Sequence, residues 1–275
     1  MKILVTGANG YLGRGIVKCL LAHGVDVVAA GFQLDDVDEG AEKKAGDLFA
    51  IENPYEYYGC PDVLLHLAWQ DGFQHYSDRH VDNLPKHYDF IKKFIEAGVR
   101  KVAVMGSMHE IGFFEGSINE NTSCHPITPY GISKNALREL VEVYAKKNNV
   151  MFQWLRGYYI VGNSKSGCSI FSKIAIAESE GKTDFPFTMG LNQYDFIDYD
   201  KFCERTVMAV LQNNILGVIN ICSGYPEKLA DRVERFIKEN HYNIRLKYGA
   251  FPDRPYDSKA VWGDSKRIET IMQLR

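Results

Sequence analysis

The sequence predicts an α/β fold, a doubly wound parallel sheet with a smaller, interleaved C-terminal lobe. Short β-branched apolar runs alternate with helical periodicity up to about residue 155, and the first run breaks directly into a glycine-rich turn. The length of 275 residues fits one to two domains at roughly 150 residues each. Right-handed crossovers between parallel strands then place helices on both faces of the sheet.

Residues 2–5 read as a buried strand, and from Tyr11 onward Leu12, Ile16, Cys19 and Leu20 take helical spacing until His23-Gly24. Further strands read at 25–30, at 63–67 after Pro61-Asp62, at 102–105 and at 151–155, each too short for a helix. Helices read at 81–97, closed by Gly98, and at Pro129–Lys147. In the latter Ile132, Ala136, Leu140, Val143 and Tyr144 share one face, which is spent either on the sheet or on a second copy of the chain. Beyond 155 come a helix at 170–180, a loop-rich 181–199, a strand at 218–222, a helix near 229–239 and a last helix from Ser265. No Gly/Ser/Pro-rich linker divides the chain, so the expected organisation is a larger domain over 1–160 and a smaller lobe over 161–275, interleaved with it.

Composition narrows the function classes. Hydrophobic residues make up 45% and charged residues 24%, and 32 Lys+Arg against 35 Asp+Glu leave a net charge of −3. That balance gives no electrostatic footprint for a nucleic acid or an anionic membrane. Cys19, Cys60, Cys124, Cys168, Cys203 and Cys222 have no metal-ligand or CxxC spacing, as small apolar side chains of a reducing compartment would not. No metal is expected. The opening apolar run is too short for a signal peptide and no stretch reaches ~18 apolar residues, so a cytoplasmic protein is expected.

Thr6-Gly7-Ala8-Asn9-Gly10-Tyr11-Leu12-Gly13 sets GxxGxxG between a strand and a helix. Glycines permit the tight turn and a close backbone approach, while the amides at the helix start attract a pyrophosphate. Gly7, Asn9, Gly10, Tyr11, Leu12 and Gly13 are therefore the expected contacts to a dinucleotide. The end of the second strand reads Ala29-Ala30-Gly31-Phe32, with no carboxylate for ribose hydroxyls; Asp35 and Asp36 follow in a loop. Arg14 stands where it meets a 2′-phosphate or faces solvent, which leans the cofactor towards NADP over NAD. Asp47-Leu48, after Gly46, is expected near the adenine end.

Tyr130-Gly131-Ile132-Ser133-Lys134 puts a phenol and an ammonium four residues apart on one face of the helix that Thr128-Pro129 introduces. A neighbouring cation favours the phenolate and brings it towards the range of proton exchange.

These segments, with His66-Leu67-Ala68-Trp69, Gly106-Ser107-Met108-His109-Glu110-Ile111-Gly112 and the stretch Trp154 to Asn163, occur in the order found in extended short-chain dehydrogenases/reductases, which the chain resembles over nearly its whole length. The family comprises nucleotide-sugar epimerases, dehydratases and ketoreductases on a Rossmann fold. The resemblance implies catalytic roles for Tyr130, Lys134 and Ser107: a nicotinamide carries hydride, Tyr130 transfers the proton, Ser107 bonds the reacting oxygen, and Lys134 binds the ribose. It further implies that Leu67, Ala68 and Trp69 line the cofactor with Tyr130 and Lys134, that Asn83 holds a water or ribose, and that Ser107, Met108 and His109 meet substrate. His66 reads as a satisfied core histidine.

Within the resemblance, Tyr194 and Tyr159 stand where the family usually has an Arg and an Asn at the nucleotide diphosphate, while Arg254 stands at its late Arg-x-x-D segment. The wording around Phe185 to Asp198 is most similar to bacterial reductases of dTDP-linked 4-keto-6-deoxy sugars, which serve deoxysugar synthesis for surface polysaccharide. Two alternatives stay open: a nucleotide-sugar 4-epimerase with bound NAD, and a non-catalytic NADP-sensing regulator. A dehydratase fits less well, because Met108-His109 replace its Asp-Glu pair and Glu110 is displaced by one position. A nucleotide-sugar substrate and a homodimer, paired through helices 81–97 and Pro129–Lys147, are the expected partners, with neither nucleic acid nor membrane.

Overall fold

A computed structural model of the chain describes residues 1–162, 169–252 and 258–274. In chain order it runs β1 (Lys2–Thr6), α1 (Tyr11–Ala22), β2 (Asp26–Gly31), β3 (Glu42–Ala45), α2 (Pro54–Tyr57), β4 (Val63–His66), α3 (Arg79–Glu96), β5 (Lys101–Ser107), β6 (Gly116–Ile118), α4 (Pro129–Lys147), β7 (Met151–Gly157) and β8 (Tyr159–Val161). It continues through α5 (Ile170–Ser179), β9 (Asp184–Pro186), β10 (Gln193–Asp198), α6 (Tyr199–Leu211), β11 (Gly217–Ile221), β12 (Pro226–Lys228), α7 (Leu229–Glu239), β13 (Arg245–Lys247), β14 (Ala260–Gly263) and α8 (Lys266–Met272).

Seven parallel strands form the main sheet in the order β11-β7-β5-β4-β1-β2-β3. The chain reverses its direction of travel across the sheet between β1 and β4, so the C-terminal ends of these strands open a crevice suited to a ligand. β1 and β5 are buried along almost their whole length, which is why they read as unbroken apolar runs. A second layer of sheet, β12-β10-β14-β6 with β8 paired to β10, builds the smaller lobe.

The interleaving is concrete. β11 returns to the main sheet beside β7, and Phe202 and Val207 of α6, Ile219 of β11, and Ile268 and Ile271 of α8 share one core with Ile3 and Val5 of β1 and Ile16 of α1.

Three sequence expectations change. The stretch 181–199 is not mostly loop: it holds β9 and β10, short strands whose mixed polar residues give no apolar run. Helix α6, which the sequence reading does not include, buries Phe202, Thr206 and Val210 at four-residue spacing. β3, an edge strand of sequence Glu-Lys-Lys-Ala, has the charged composition that blunts a sheet edge and hides it from apolar pattern reading. On α4 the buried face is Tyr130, Ser133, Lys134, Leu137, Val141 and Ala145. The stripe of Ile132, Leu140 and Val143 points outward, with 50%, 45% and 69% exposure. Among the described residues no helix is long and apolar enough to cross a membrane.

Candidate active site

The glycine turn follows β1. Gly7 has φ +69°, and a Cβ there would come within 2.8 Å of the Ala68 backbone nitrogen; one at Gly13 would lie 2.6 Å from the Ala8 carbonyl oxygen. The turn is thus pressed against the end of β4 and the helix against the turn. Gly10 caps α1 without a side-chain bond, no acidic residue occupies the first turn, and the buried Asn9 Oδ1 has no partner among the described residues. The amides at the positive end of the helix fit a dinucleotide pyrophosphate, while the Asn9 oxygen is an acceptor suited to a donor such as a hydroxyl of the ligand.

The flanking groups are arranged around that turn. Ala68 N–H donates to Thr6 Oγ1 at 3.3 Å and Leu67 N–H to the Thr6 carbonyl at 3.2 Å, so both back the turn. Asp47 follows β3 but its carboxylate accepts the Phe49 N–H at 3.0 Å, capping a short turn in which Leu48 is buried. Arg14 donates to Asp36 at 3.1 Å. Its charge therefore has a carboxylate partner next to the end of β2, where the sequence showed a loop. The Asn83 amide is engaged by Gln70 and Lys86, each at 3.0 Å.

The catalytic candidates converge where β5 ends and α4 begins. Ser107 is the last residue of β5, and Thr128 starts α4 by accepting the Gly131 N–H at 3.2 Å, with Pro129 in the first turn. One turn of helix then carries Tyr130 and Lys134 on the buried face. The Ser107 hydroxyl lies close enough to the Tyr130 phenol to favour its ionised form, and it accepts the His109 N–H at 3.3 Å. Lys134 Nζ donates to the Met105 carbonyl at 2.8 Å and lies 3.9 Å from the centroid of the Trp69 ring.

The electrostatics differ from the sequence expectation. Burial pushes the Tyr130 phenol up to about 12, opposed by the Ser107 hydroxyl and assisted by the nearby Glu110 carboxylate. Burial pulls Lys134 down to about 7, with Glu110 opposing. Desolvation wins over the attraction between neighbours because both groups lie almost wholly out of water, so the phenol is held as a proton donor and not as a phenolate.

Around the phenol stands a set of rings, in which His75, His80 and His87 join the Trp69, His109 and His66 read from the sequence. His75, on the loop before α3, stacks on Tyr130 with ring centroids 5.0 Å apart and planes at 8°, and its carbonyl accepts the Tyr130 N–H at 3.1 Å. His109 lies 4.3 Å from His75 and is pulled down to about 4 by burial and by His75, hence neutral. Trp69 Nε1–H donates to His80 Nδ1 at 3.0 Å and stacks on His87 at 4.5 Å. His87 Nδ1 is bonded to His66 Nε2 at 2.8 Å, and His66 Nδ1 to Thr6 Oγ1 at 2.9 Å. His66 is thus a satisfied core histidine, as its apolar run predicts. The signal for the others was the density of histidines between 66 and 109, visible only once the loop is seen folded onto α4.

Met108 is buried in a cluster with Ile111, Ile118, Tyr158, Cys222 and Val261. Glu110 is fully buried and accepts from Trp154 Nε1 at 2.8 Å and from Arg156 Nε at 2.5 Å, so it fixes the segment after Ser107 and has no free oxygen to serve a dehydratase role. Tyr159 and Tyr194 pair their rings at 4.6 Å, within reach of His109. Arg254 lies outside the described residues.

The sequence pattern of the NAD dependent epimerase/dehydratase family matches residues 3–222. The chain is 42% identical over 269 residues to the dTDP-6-deoxy-L-talose 4-dehydrogenase (NAD(+)) of Aggregatibacter actinomycetemcomitans, covering 96% of this chain and 99% of that protein. Its fold is similar to that of the UDP-N-acetylglucosamine 4-epimerase of Methanobrevibacter ruminantium M1, with a TM-score of 0.86 at 18% identity over 98% of this chain and 91% of the other. It is also similar to dTDP-glucose 4,6-dehydratase of Streptomyces venezuelae, with a TM-score of 0.84 at 17% identity over 100% and 92% of the two chains.

Proposed function

The chain belongs to the NAD dependent epimerase/dehydratase family, and from that premise we propose that it is a reductase interconverting the C4 ketone and alcohol of a dTDP-linked 6-deoxyhexose with NAD(H). The observation that carries this reading is the convergence of Ser107, at the end of β5, with Tyr130 and Lys134 on the buried face of α4, while the glycine turn follows β1, two strands away in the same sheet. Support for the substrate comes from the relative that matches nearly end to end.

A nicotinamide dinucleotide, when bound at the glycine turn, supplies the hydride. The protein's groups do the rest. Tyr130, kept protonated by burial, gives its proton to the carbonyl oxygen as the alcohol forms. Ser107 holds the same oxygen and the phenol in one hydrogen-bonded array, fixing the direction of transfer. Lys134, pulled down to about 7 and so only partly charged near neutrality, stands one helical turn from the phenolate left behind and, in its protonated form, stabilises it.

Three finer readings go with this one. Arg14 is paired with Asp36, so the turn offers a carboxylate beside a neutralised cation, which favours a ribose hydroxyl over a 2′-phosphate and hence NAD over NADP. The outward apolar stripe of α4, beside α3, suits a homodimer contact. The second lobe, led by β8 and β10, takes the nucleotide end of the substrate in a cytoplasmic enzyme. A 4-epimerase remains the competing reading, and the two differ in stoichiometry. Purified protein given NADH and dTDP-4-keto-6-deoxyhexose should oxidise one NADH per sugar reduced; interconversion of two dTDP-sugars with no net NADH loss would replace the reductase by the epimerase.

A further inference from the structure

Tyr199 begins α6, directly after β10 of the smaller lobe, yet its hydroxyl reaches into the first turn of α1. The phenol O–H donates to the Tyr11 carbonyl at 2.5 Å and accepts the Gly15 N–H at 3.1 Å. These are the acceptor and donor at i and i+4 in the helix, so one side-chain oxygen bridges the pair. The rings of Tyr199 and Tyr11 pack at 4.7 Å.

Gly15 is what makes room. A Cβ there would lie 2.5 Å from the Tyr199 hydroxyl and 2.7 Å from Cys203 Sγ, one turn along α6. A residue with a side chain at 15 and a phenol at 199 cannot both be held in this geometry.

We propose that Tyr199 is a positioning residue for the dinucleotide turn, through which the smaller lobe sets the aim of the Leu12 amide; this rests on the nicotinamide-dinucleotide reading of that turn. The Tyr11 carbonyl and the Leu12 N–H belong to one planar trans peptide and point in opposite directions. Pinning the carbonyl from the C-terminal side fixes the N–H outward from the start of α1, where a pyrophosphate oxygen would accept it. A hydrogen bond to the carbonyl also polarises the peptide and strengthens its N–H as a donor. Tyr199 directly follows β10, the strand that carries Tyr194, so its bridge ties that end of the smaller lobe to the turn.

The test is calorimetric titration of NAD+ into wild type, Tyr199→Phe and Gly15→Ala, with a thermal melt of each. Phe keeps the ring packing and deletes only the bridge; Ala leaves the phenol but takes its space. Both should raise the Kd for NAD+ about three- to tenfold, the loss of one net hydrogen bond. Ala is a better helix former than Gly, so weakened binding in Gly15→Ala cannot be charged to a melted helix. A Kd equal to wild type in Tyr199→Phe, whatever its melting temperature, makes Tyr199 a packing residue and overturns the proposal; should that variant not fold, Gly15→Ala decides by the same criterion. Absence of NAD+ binding by the wild type would instead remove the reading of the turn itself, and the proposal with it.

Discussion

The ammonium of Lys134 lies 3.9 Å from the centroid of the Trp69 ring while donating to the Met105 carbonyl. An indole face attracts a cation but hydrates it far less well than water, so the contact orients the lysine without restoring what burial removes. That is why Lys134 is held near 7 instead of its ordinary value of 10.5.

A stability consequence follows from the sign of that shift. Between about 7 and 10.5 the unfolded chain binds a proton at this lysine that the folded chain does not, so wild-type stability gains from this group as pH rises through the window. Lys134→Met lacks the effect. Urea denaturation at a series of pH values should find the variant's advantage over wild type greatest below pH 7 and shrinking up to about 10.5; a difference flat with pH would mean the lysine is not desolvated as described.

Tyr130→Phe removes the transferable proton and little else. Turnover should fall by about 10²–10⁴ while NAD+ affinity changes less than about twofold. Single-turnover kinetics with a parallel NAD+ titration separates the two; retained turnover would remove Tyr130 from the chemistry.

Glu110→Gln leaves the buried Arg156 guanidinium without its carboxylate. With both side chains essentially inaccessible, the variant should lose about 3–5 kcal/mol in denaturant titration. Because Glu110 fixes the segment after Ser107, turnover should fall as well, with no change in the order of product release.

Charges placed on the outward stripe of α4, as in Ile132→Glu with Val143→Glu, should turn a homodimer into a monomer in sedimentation velocity while leaving the fold intact, since neither side chain is buried in the chain itself. An unchanged sedimentation coefficient would place the contact elsewhere.

The parallel sheet was legible because its central strands are buried on both faces and write apolar runs into the sequence, and because the glycine turn and the Tyr130–Lys134 spacing are local. What escaped reading depends on distant packing. The direction of the α4 stripe is set by which side meets β5, and an amphipathic pattern does not say which face is covered. β10 holds few contiguous apolar residues, and the role of Tyr199 arises from a partner 188 positions away. The ring set on Tyr130 depends on how loop 70–78 folds back, and the raised phenol depends on burial that a one-dimensional pairing with Lys134 does not contain.

The most direct test of the account is hydride destination. With NADH carrying deuterium at nicotinamide C4 and dTDP-4-keto-6-deoxyhexose as substrate, deuterium should appear at sugar C4 in proportion to the NAD+ formed. Sugar interconverted with no deuterium gained and no NADH consumed would contradict the reductase.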